Sequence, residues 1–263
     1  MDSARIIAFL SDFGTRDYYV GAVKAVVHSL CPQSTVVDVT HEVEPWSVED
    51  ACYILRCCYD DFPSRTVFLV VVDPGVGTSR KAIILEHKGY LFVGPDNGLL
   101  PCAVGNKEFK AWEILRVPGA RRKTSHTFHG RDVFAPVAAF LSCGGRPEEI
   151  GREYADPVLM DIEETILEEG WVKARVIHVD RFGNVALGVR PEKFFREYGP
   201  TRIRVAFDDH EVDVPFVRTF GDAPRGSLVA LVNSCGYLEL AVNMGNASEV
   251  LGLKPGRIVK IKF

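Results

Sequence analysis

Asp73, Arg80 and His129 are an acid, a guanidinium and an imidazole placed at the ends of candidate structural elements, and together they are the parts of a proton-handling site. Asp73 closes the apolar run Thr66-Val-Phe-Leu-Val-Val-Val-Asp73 and leads into the glycine-rich turn Pro74-Gly-Val-Gly77-Thr-Ser-Arg80. A β-branched run of this kind reads as a buried strand. A carboxylate at its C-terminal end reaches the rim of the sheet, where open α/β folds place their ligands. Two glycines let the chain double back, so Arg80 can return towards that carboxylate. His129 lies in the polar cluster Thr127-Phe128-His129-Gly130-Arg131-Asp132, just ahead of a helical pattern.

Other clusters read two ways. Asp12, in Ser11-Asp12-Phe-Gly14 after the first apolar run, can accept hydrogen bonds from vicinal ribose hydroxyls or simply cap the next helix. Pro74-Gly-Val-Gly77 resembles part of a phosphate loop but lacks both the GxGxxG spacing and the Walker Gly-Lys-Ser/Thr. Asp180-Arg-Phe-Gly183-Asn184 and Asn233-Ser234-Cys-Gly236-Tyr237 are polar turns at strand ends, and hairpin chemistry alone would explain either. No pair of His or Cys has ligand spacing on a common element, which argues against a metal site.

The elements that must position these groups follow from periodicity. Residues 5–10 form a first strand. Asp17 to Leu30 carries Val20, Val23, Val26, Val27 and Leu30 on one helical stripe. Thr35–Thr40 is a strand. Ser47-Val-Glu-Asp50 opens a helix in the manner of a capping box, and the strand ending at Asp73 follows. Strand–helix–strand–helix–strand predicts a mostly parallel sheet with crossover helices, with residues 82–86 and 90–94 as a hairpin added to it. Asn97 caps a short helix, and Asp132–Leu141 is a further helix. Residues 1–156 are thus expected to be an α/β domain and the acidic stretch 157–170 a linker. Residues 171–263 are read as an all-β, barrel-like domain of about six short strands with a helical interlude at Glu192–Tyr198.

Composition bounds the function. The chain has 263 residues, 47% hydrophobic and 25% charged, with a formal net charge of −4, so no general attraction to nucleic acid or anionic membrane is expected. Arg121-Arg122-Lys123 is the one tight basic run and reads as a solvated loop. No apolar stretch approaches the ~18 residues of a membrane span, and the N-terminus is charged too soon for a signal peptide. Seven cysteines, with Cys57 and Cys58 adjacent, predict a reducing cytoplasm and no structural disulfides.

Taken together, the clusters resemble the S-adenosylmethionine hydroxide adenosyltransferase family, which includes fluorinating and chlorinating relatives. The resemblance rests on seven motifs in order: Ile-Ala-Phe-Leu-Ser-Asp12-Phe-Gly, Val-Val-Asp-Val-Thr-His41, Pro45-Trp46-Ser-Val-Glu-Asp, Asp96-Asn97-Gly-Leu-Leu, Thr127-Phe128-His129, Phe182-Gly-Asn184 and Asn233-Ser234-Cys-Gly-Tyr-Leu. It implies an N-terminal α/β domain, a C-terminal β-barrel and a homotrimer with active sites between subunits. By motif position Asp12 would hold the ribose hydroxyls, Trp46 would line the pocket and Phe128 would pack near the reacting carbon. Asp180, Asn184 and Ser234 would contact the adenosine or methionine parts. Cys235 stands where halogenating relatives can have Arg. Asp73, Arg80 and His129 fall on the Asp–Arg–His set of the hydrolytic members, and the long insertion of the fluorinating enzyme is missing.

The resemblance therefore implies attack of water or hydroxide on ribose C5′ of S-adenosyl-L-methionine, giving adenosine and L-methionine, with no metal or further cofactor. The base is either Asp73 or His129. The alternatives are a halide (chloride) adenosyltransferase and a non-catalytic S-adenosylmethionine-binding sensor.

Overall fold

The computed structural model describes residues 5–119, 125–163, 166–168, 170–194 and 200–263. The basic run at 121–123 and residues 195–199 of the expected interlude lie outside them. The chain divides into two compact units, Met1–Met160 and Asp161–Phe263.

The first unit holds a seven-stranded sheet: β1 (Arg5–Ser11), β2 (Ser34–Thr40), β3 (Val67–Val71), β4 (Ala82–His87), β5 (Tyr90–Pro95), β6 (Lys110–Ile114) and β7 (Gly151–Glu153), in the order β2-β1-β3-β5-β4-β6-β7. Its helices are α1 (Tyr19–Leu30), α2 (Val48–Cys58), α3 (Leu99–Ala103) and α4 (Ala135–Ser142). Both faces of the central strands are buried. Ile7, Phe9, Leu69 and Val71 pack with Val23 and Val27 of α1 and Val137 and Ala138 of α4. Alternate residues Ala8, Leu10, Phe68 and Val70 pack with Ala51 and Leu55 of α2 and Leu99 and Leu100 of α3. Two-sided burial is why these strands read as continuous apolar runs. The Ser47 hydroxyl accepts the Asp50 N–H at 3.2 Å and starts α2 as expected.

The sheet is mixed, which corrects the expectation of a mostly parallel one. β2, β1, β3 and β5 are mutually parallel, but beyond them each ladder, β5–β4, β4–β6 and β6–β7, is antiparallel. The cause is the hairpin: β5 lies against β3, so β4 must return antiparallel on its outer side. The short β6 and β7, which carry little periodicity, then extend that edge.

The second unit contains β8 (Ile166–Glu168), β9 (Trp171–Val179), β10 (Val185–Leu187), β11 (Arg202–Phe207), β12 (His210–Pro215), β13 (Leu228–Val232), β14 (Leu238–Val242) and β15 (Ile258–Lys262). Its order is β12-β11-β15-β9-β10-β14-β13, with β8 added on β9, and every ladder is antiparallel. A bridge between Phe216 and Ala230 joins the two ends, so the sheet is nearly closed, as a barrel-like reading requires. A short helix α5 (Ala247–Leu251) is capped by Asn246, whose side-chain oxygen accepts the Glu249 N–H at 2.9 Å. Of the helical interlude, a 3-10 turn at Pro191–Lys193 is described.

The boundary between the units falls within the acidic stretch, after Met160, and its described residues from Asp161 on belong to the second unit. Ile162 is buried, and β8 pairs with β9. Glu163 accepts hydrogen bonds from Arg190 (2.7 Å), Lys193 (2.6 Å) and the Tyr237 hydroxyl (3.0 Å). Burial pushes its carboxyl upward, but the bonds from Lys193 and Arg190 outweigh that and hold it at about 2. An acid that looks solvated in sequence is partnered in space.

Disulfides overturn the expectation of thiols, among them Cys31–Cys143 and Cys52–Cys102, and Cys58 alone of the described cysteines is free. The first ties the end of α1 to the end of α4, the second joins α2 to α3. Sequence spacing hides such pairs, since the partners are 112 and 50 residues apart. Cross-links over loops this long typically contribute ~2–4 kcal/mol. The variant Cys31→Ala/Cys143→Ala is therefore expected to melt about 4–16 °C below the parent, at ~2–4 °C per kcal/mol for a chain of this size. A reductant should lower the parent's Tm towards the variant's. Equal Tm values, with the extra thiols titrating in the native parent, would show that the bridge does not form.

Candidate active site

The site is built from the C-terminal rim of β1 and β3, the N-terminus of α1 and the approach to α4. Asp12, Phe13, Tyr19, Pro45, Trp46, Val71, Asp73, Val76, Thr127, Phe128, His129 and Gly130 line a cleft of about 370 Å³. Five of the first unit's sequence candidates therefore meet in one place, and Arg80 reaches it through Asp73.

Asp73 and Arg80 form a bidentate pair. Arg80 Nε donates to Asp73 Oδ1 at 2.9 Å, and Nη2 donates to Oδ2. Their side chains are only 7% and 11% exposed, so the pair is partly desolvated and geometrically fixed. The glycine-rich turn does the folding back: Gly77 adopts a left-handed φ of 80°, and a Cβ there would stand 2.8 Å from the His126 carbonyl. The Arg80 guanidinium also lies over the buried Phe134 ring, 5.1 Å from its centroid.

Arg80 Nη2 lies 2.8 Å from His129 Nδ1. A guanidinium has donors only, so Nδ1 must accept and the proton of the neutral ring sits on Nε2. Burial lowers the His129 pKa below the ordinary imidazole value, and the Arg80 charge lowers it further. The ring is thus a neutral imidazole that offers an N–H, not a lone pair, at Nε2. His129 is set in place by a π-helical turn, Gly130–Phe134, leading into α4, a feature common at functional sites. A Cβ at Gly130 would stand 3.0 Å from the Phe13 ring, so the turn packs tightly there. Asp132 is buried, accepts the Ser125 N–H at 2.7 Å and pairs with Arg131.

Asp12 faces the same cleft. Its Oδ2 accepts the Trp46 main-chain N–H at 2.9 Å, leaving Oδ1 for a ligand. Burial raises its pKa, against the lowering effect of main-chain hydrogen bonds, and the nearby Asp73 charge raises it further. Trp46 holds a left-handed φ of 64° and is 72% exposed. Such strain in a non-glycine residue costs ~1–2 kcal/mol and persists where the surroundings impose it. Phe128 is buried among Phe13, Tyr18 and Tyr19, with the Arg131 guanidinium over its face at 4.8 Å.

The second unit's candidates lie in two turns. Asp180 Oδ1 accepts from the main-chain N–H of Phe182 (2.8 Å) and Asn184 (2.9 Å), and its Oδ2 from Asn184 Nδ2 (2.9 Å). Asn233 Oδ1 accepts from Cys235 and Tyr237 N–H, shaping the turn that exposes Ser234. Asp180 and Asn233 therefore do the turn chemistry that the bland reading assigned them. Nearby Glu239 is buried, which raises its pKa.

Sequence reading missed Tyr19, whose tyrosine pair with Tyr18 sits at the start of α1 and reads as helix surface. It also missed the role of Asn97: its Nδ2 donates to the carbonyl of Val72, the residue before Asp73, at 2.9 Å. Among the described residues, no three His, Cys, Asp or Glu side chains are grouped to hold a metal ion.

Comparison with known proteins finds relatives along nearly the whole chain. Profiles of the SAM hydroxide adenosyltransferase N-terminal and C-terminal domains match residues 7–151 and 174–260. The chain is 39% identical to the (R)-S-adenosyl-L-methionine hydrolase of Thermus thermophilus, over 98% of this chain and 99% of that one. It is 30% identical to the fluorinase of Actinopolyspora mzabensis, over 98% and 97%. A crystal structure of an uncharacterized conserved protein from Thermotoga maritima superposes with a TM-score of 0.90 at 38% identity, over 98% of this chain and all of that one.

Proposed function

The chain belongs to the SAM hydroxide adenosyltransferase family and hydrolyses S-adenosyl-L-methionine to adenosine and L-methionine; we propose that the cleft of the first unit is where it does so, with Asp73, Arg80 and His129 acting as one group on the attacking water. The observation that carries this reading is the Asp73–Arg80–His129 unit, hydrogen-bonded end to end with its acid and imidazole on the cleft.

The substrate's sulfonium is a strong leaving group, and its charge disappears as the S–C5′ bond breaks. A partly desolvated, aromatic site favours that change. Bulk water, with a pKa near ~15.7, is not deprotonated outright by a carboxylate near ~3.9. The unit instead orients the water and takes its proton as the O–C5′ bond forms. Because His129 Nε2 bears a hydrogen, it donates to the water oxygen, and Asp73 is left as the acceptor. Each Asp73 oxygen bonds Arg80 through one lone pair and keeps another for the water. The S–C5′ electron pair goes to sulfur as neutral methionine, and the proton passes from Asp73 to solvent.

In this reading Asp12 holds the ribose hydroxyls, Trp46 walls the pocket and Phe128 packs near C5′. Asp180, Asn184 and Ser234 contact the adenosine or methionine parts from a second unit in a homotrimer with sites between subunits. Trp46 on the cleft rim and Phe182 beside Asp180, 72% and 74% exposed, are apolar surfaces that such an assembly would cover. No metal or cofactor is required, because the electrophile already carries its activating charge. Relatives are named for the (R) epimer, and the same sulfonium epimer is proposed as this chain's preferred substrate. Among the described residues no helix is long and apolar enough to cross a membrane. A cytoplasmic location is proposed, with burial of Cys31, Cys52 and Cys102 shielding the Cys31–Cys143 and Cys52–Cys102 bridges from thiols.

The test is the pH profile. Activity needs neutral His129, whose pKa is depressed, so kcat/KM should stay level through neutrality and fall only below pH ~6.5. His129→Gln should lose that acid limb. A limb centred above this range, or one unchanged in His129→Gln, would contradict the assigned tautomer.

A further inference from the structure

We propose that His41 is a positioning residue for Asp12, acting through the buried polar chain Ser11–His41–Asp38; the proposal rests on the reading of Asp12 as the group that holds the ribose hydroxyls. His41 follows β2 and is only 4% exposed. Its Nδ1 lies 2.8 Å from the Ser11 hydroxyl, and its Nε2 lies 3.1 Å from Asp38 Oδ1, off the line of an ideal hydrogen bond. Lys24 Nζ donates to Asp38 Oδ2 at 2.6 Å.

Donors and acceptors run in one direction. The Lys24 ammonium anchors Asp38, whose carboxylate faces the N–H of His41 Nε2. Nδ1 then accepts from the Ser11 hydroxyl, whose oxygen in turn faces the Phe13 N–H at 3.5 Å. A serine, histidine and aspartate in a row resemble a hydrolase triad, but Ser11 is fully buried and no ligand reaches its oxygen. The chain's work is therefore on the backbone it joins.

That backbone is the Asp12 loop. The His41 side chain holds Ser11, and its carbonyl accepts the Gly14 N–H at 2.7 Å, so one residue grips both sides of Asp12. The loop leaving His41 ends at Trp46, whose N–H bonds Asp12 Oδ2. The Phe9 ring, edge-on to the imidazole at 4.5 Å, fixes its plane. Ser11 and His41 are buried, where a polar contact fixes geometry more closely than in water, and a site loosened by an ångström loses much of its effect. Loss of His41 should therefore release Asp12 from the ribose without emptying the cleft.

The experiment is calorimetric binding of adenosine and 2′,3′-dideoxyadenosine, which lacks the hydroxyls that Asp12 would hold. Wild type should prefer adenosine, and Asp12→Ala should lose that preference. His41→Ala should cut it about tenfold, the worth of one hydrogen bond to a charged group, with dideoxyadenosine binding unchanged. Asp12→Ala/His41→Ala should be no worse than Asp12→Ala alone. Asp38→Asn, at a side chain 41% exposed, should reduce the preference about threefold and keeps the test decisive if His41→Ala fails to fold. The proposal is overturned if His41→Ala or Asp38→Asn keeps the full preference, or if His41→Ala weakens both nucleosides equally. Full preference in Asp12→Ala would instead remove the ribose role of Asp12.

Discussion

Asp73→Asn, Arg80→Ala and His129→Ala are each expected to lower kcat by about 10²–10⁴, the usual cost of losing a positioned acid–base group, with adenosine affinity largely intact. In the proposed mechanism Asp73 accepts from the water and His129 donates to it through Nε2–H, while Arg80 bonds both side chains and sets the angle between them. Removing any one member leaves the other two unable to hold the water in line with the S–C5′ bond. The effects should therefore be strongly non-additive, with Asp73→Asn/His129→Ala little worse than the poorer single variant. Arg80→Ala carries a second consequence: Asp73 is left nearly buried without its cation. An exposed ion pair would be worth at most ~1 kcal/mol and would not touch catalysis, but these side chains are nearly covered. Single-turnover rates decide the matter, and a wild-type rate in Asp73→Asn would defeat the mechanism.

What could be read from the residues alone was whatever depends on local order. The run from Thr66 to Asp73 announced a buried strand with an acid at its rim, and two glycines announced the return of Arg80. The meeting of Asp12, Asp73 and His129 then follows from strand–helix alternation, because all three sit at ends of elements on the same sheet rim. Facts set by distant partners were not legible. The tautomer of His129 depends on an arginine 49 residues away, and the disulfides join cysteines whose spacing carries no signal. Glu163 looked like part of a solvated acidic run because Arg190, Lys193 and Tyr237 are remote in sequence. The sheet looked parallel because the weakly patterned β6 and β7, which make its edge antiparallel, were not recognised as strands. The Ser11–His41–Asp38 chain was likewise hidden, although each residue lies inside or beside a motif.

Adenosine and methionine should be the sole products from S-adenosyl-L-methionine in chloride buffer, at a rate that a chelator does not change. The reason lies in which atoms face the nucleophile. A halide entering this cleft needs hydrogen-bond donors to replace its hydration. Of the five N–H groups of a guanidinium, four in Arg80 are already given to Asp73, His129 and the Lys81 carbonyl. What this hydrogen-bonded unit turns to the cleft is a carboxylate edge and the Nε2–H of His129. That arrangement suits a molecule that both gives and accepts a hydrogen bond, which water does and chloride does not. Asp73 also has a use only if the nucleophile brings a proton to lose. In a mixture of sulfonium epimers the (R) form should disappear first, since inversion at sulfur exchanges the directions of the methyl and methionine arms, and only one arrangement can seat both arms while S–C5′ stays in line with the water. 5′-Chloro-5′-deoxyadenosine as the main product would overturn the oxygen-nucleophile reading. Faster loss of the (S) epimer would overturn the epimer assignment, and inactivation by chelation would overturn the metal-free chemistry.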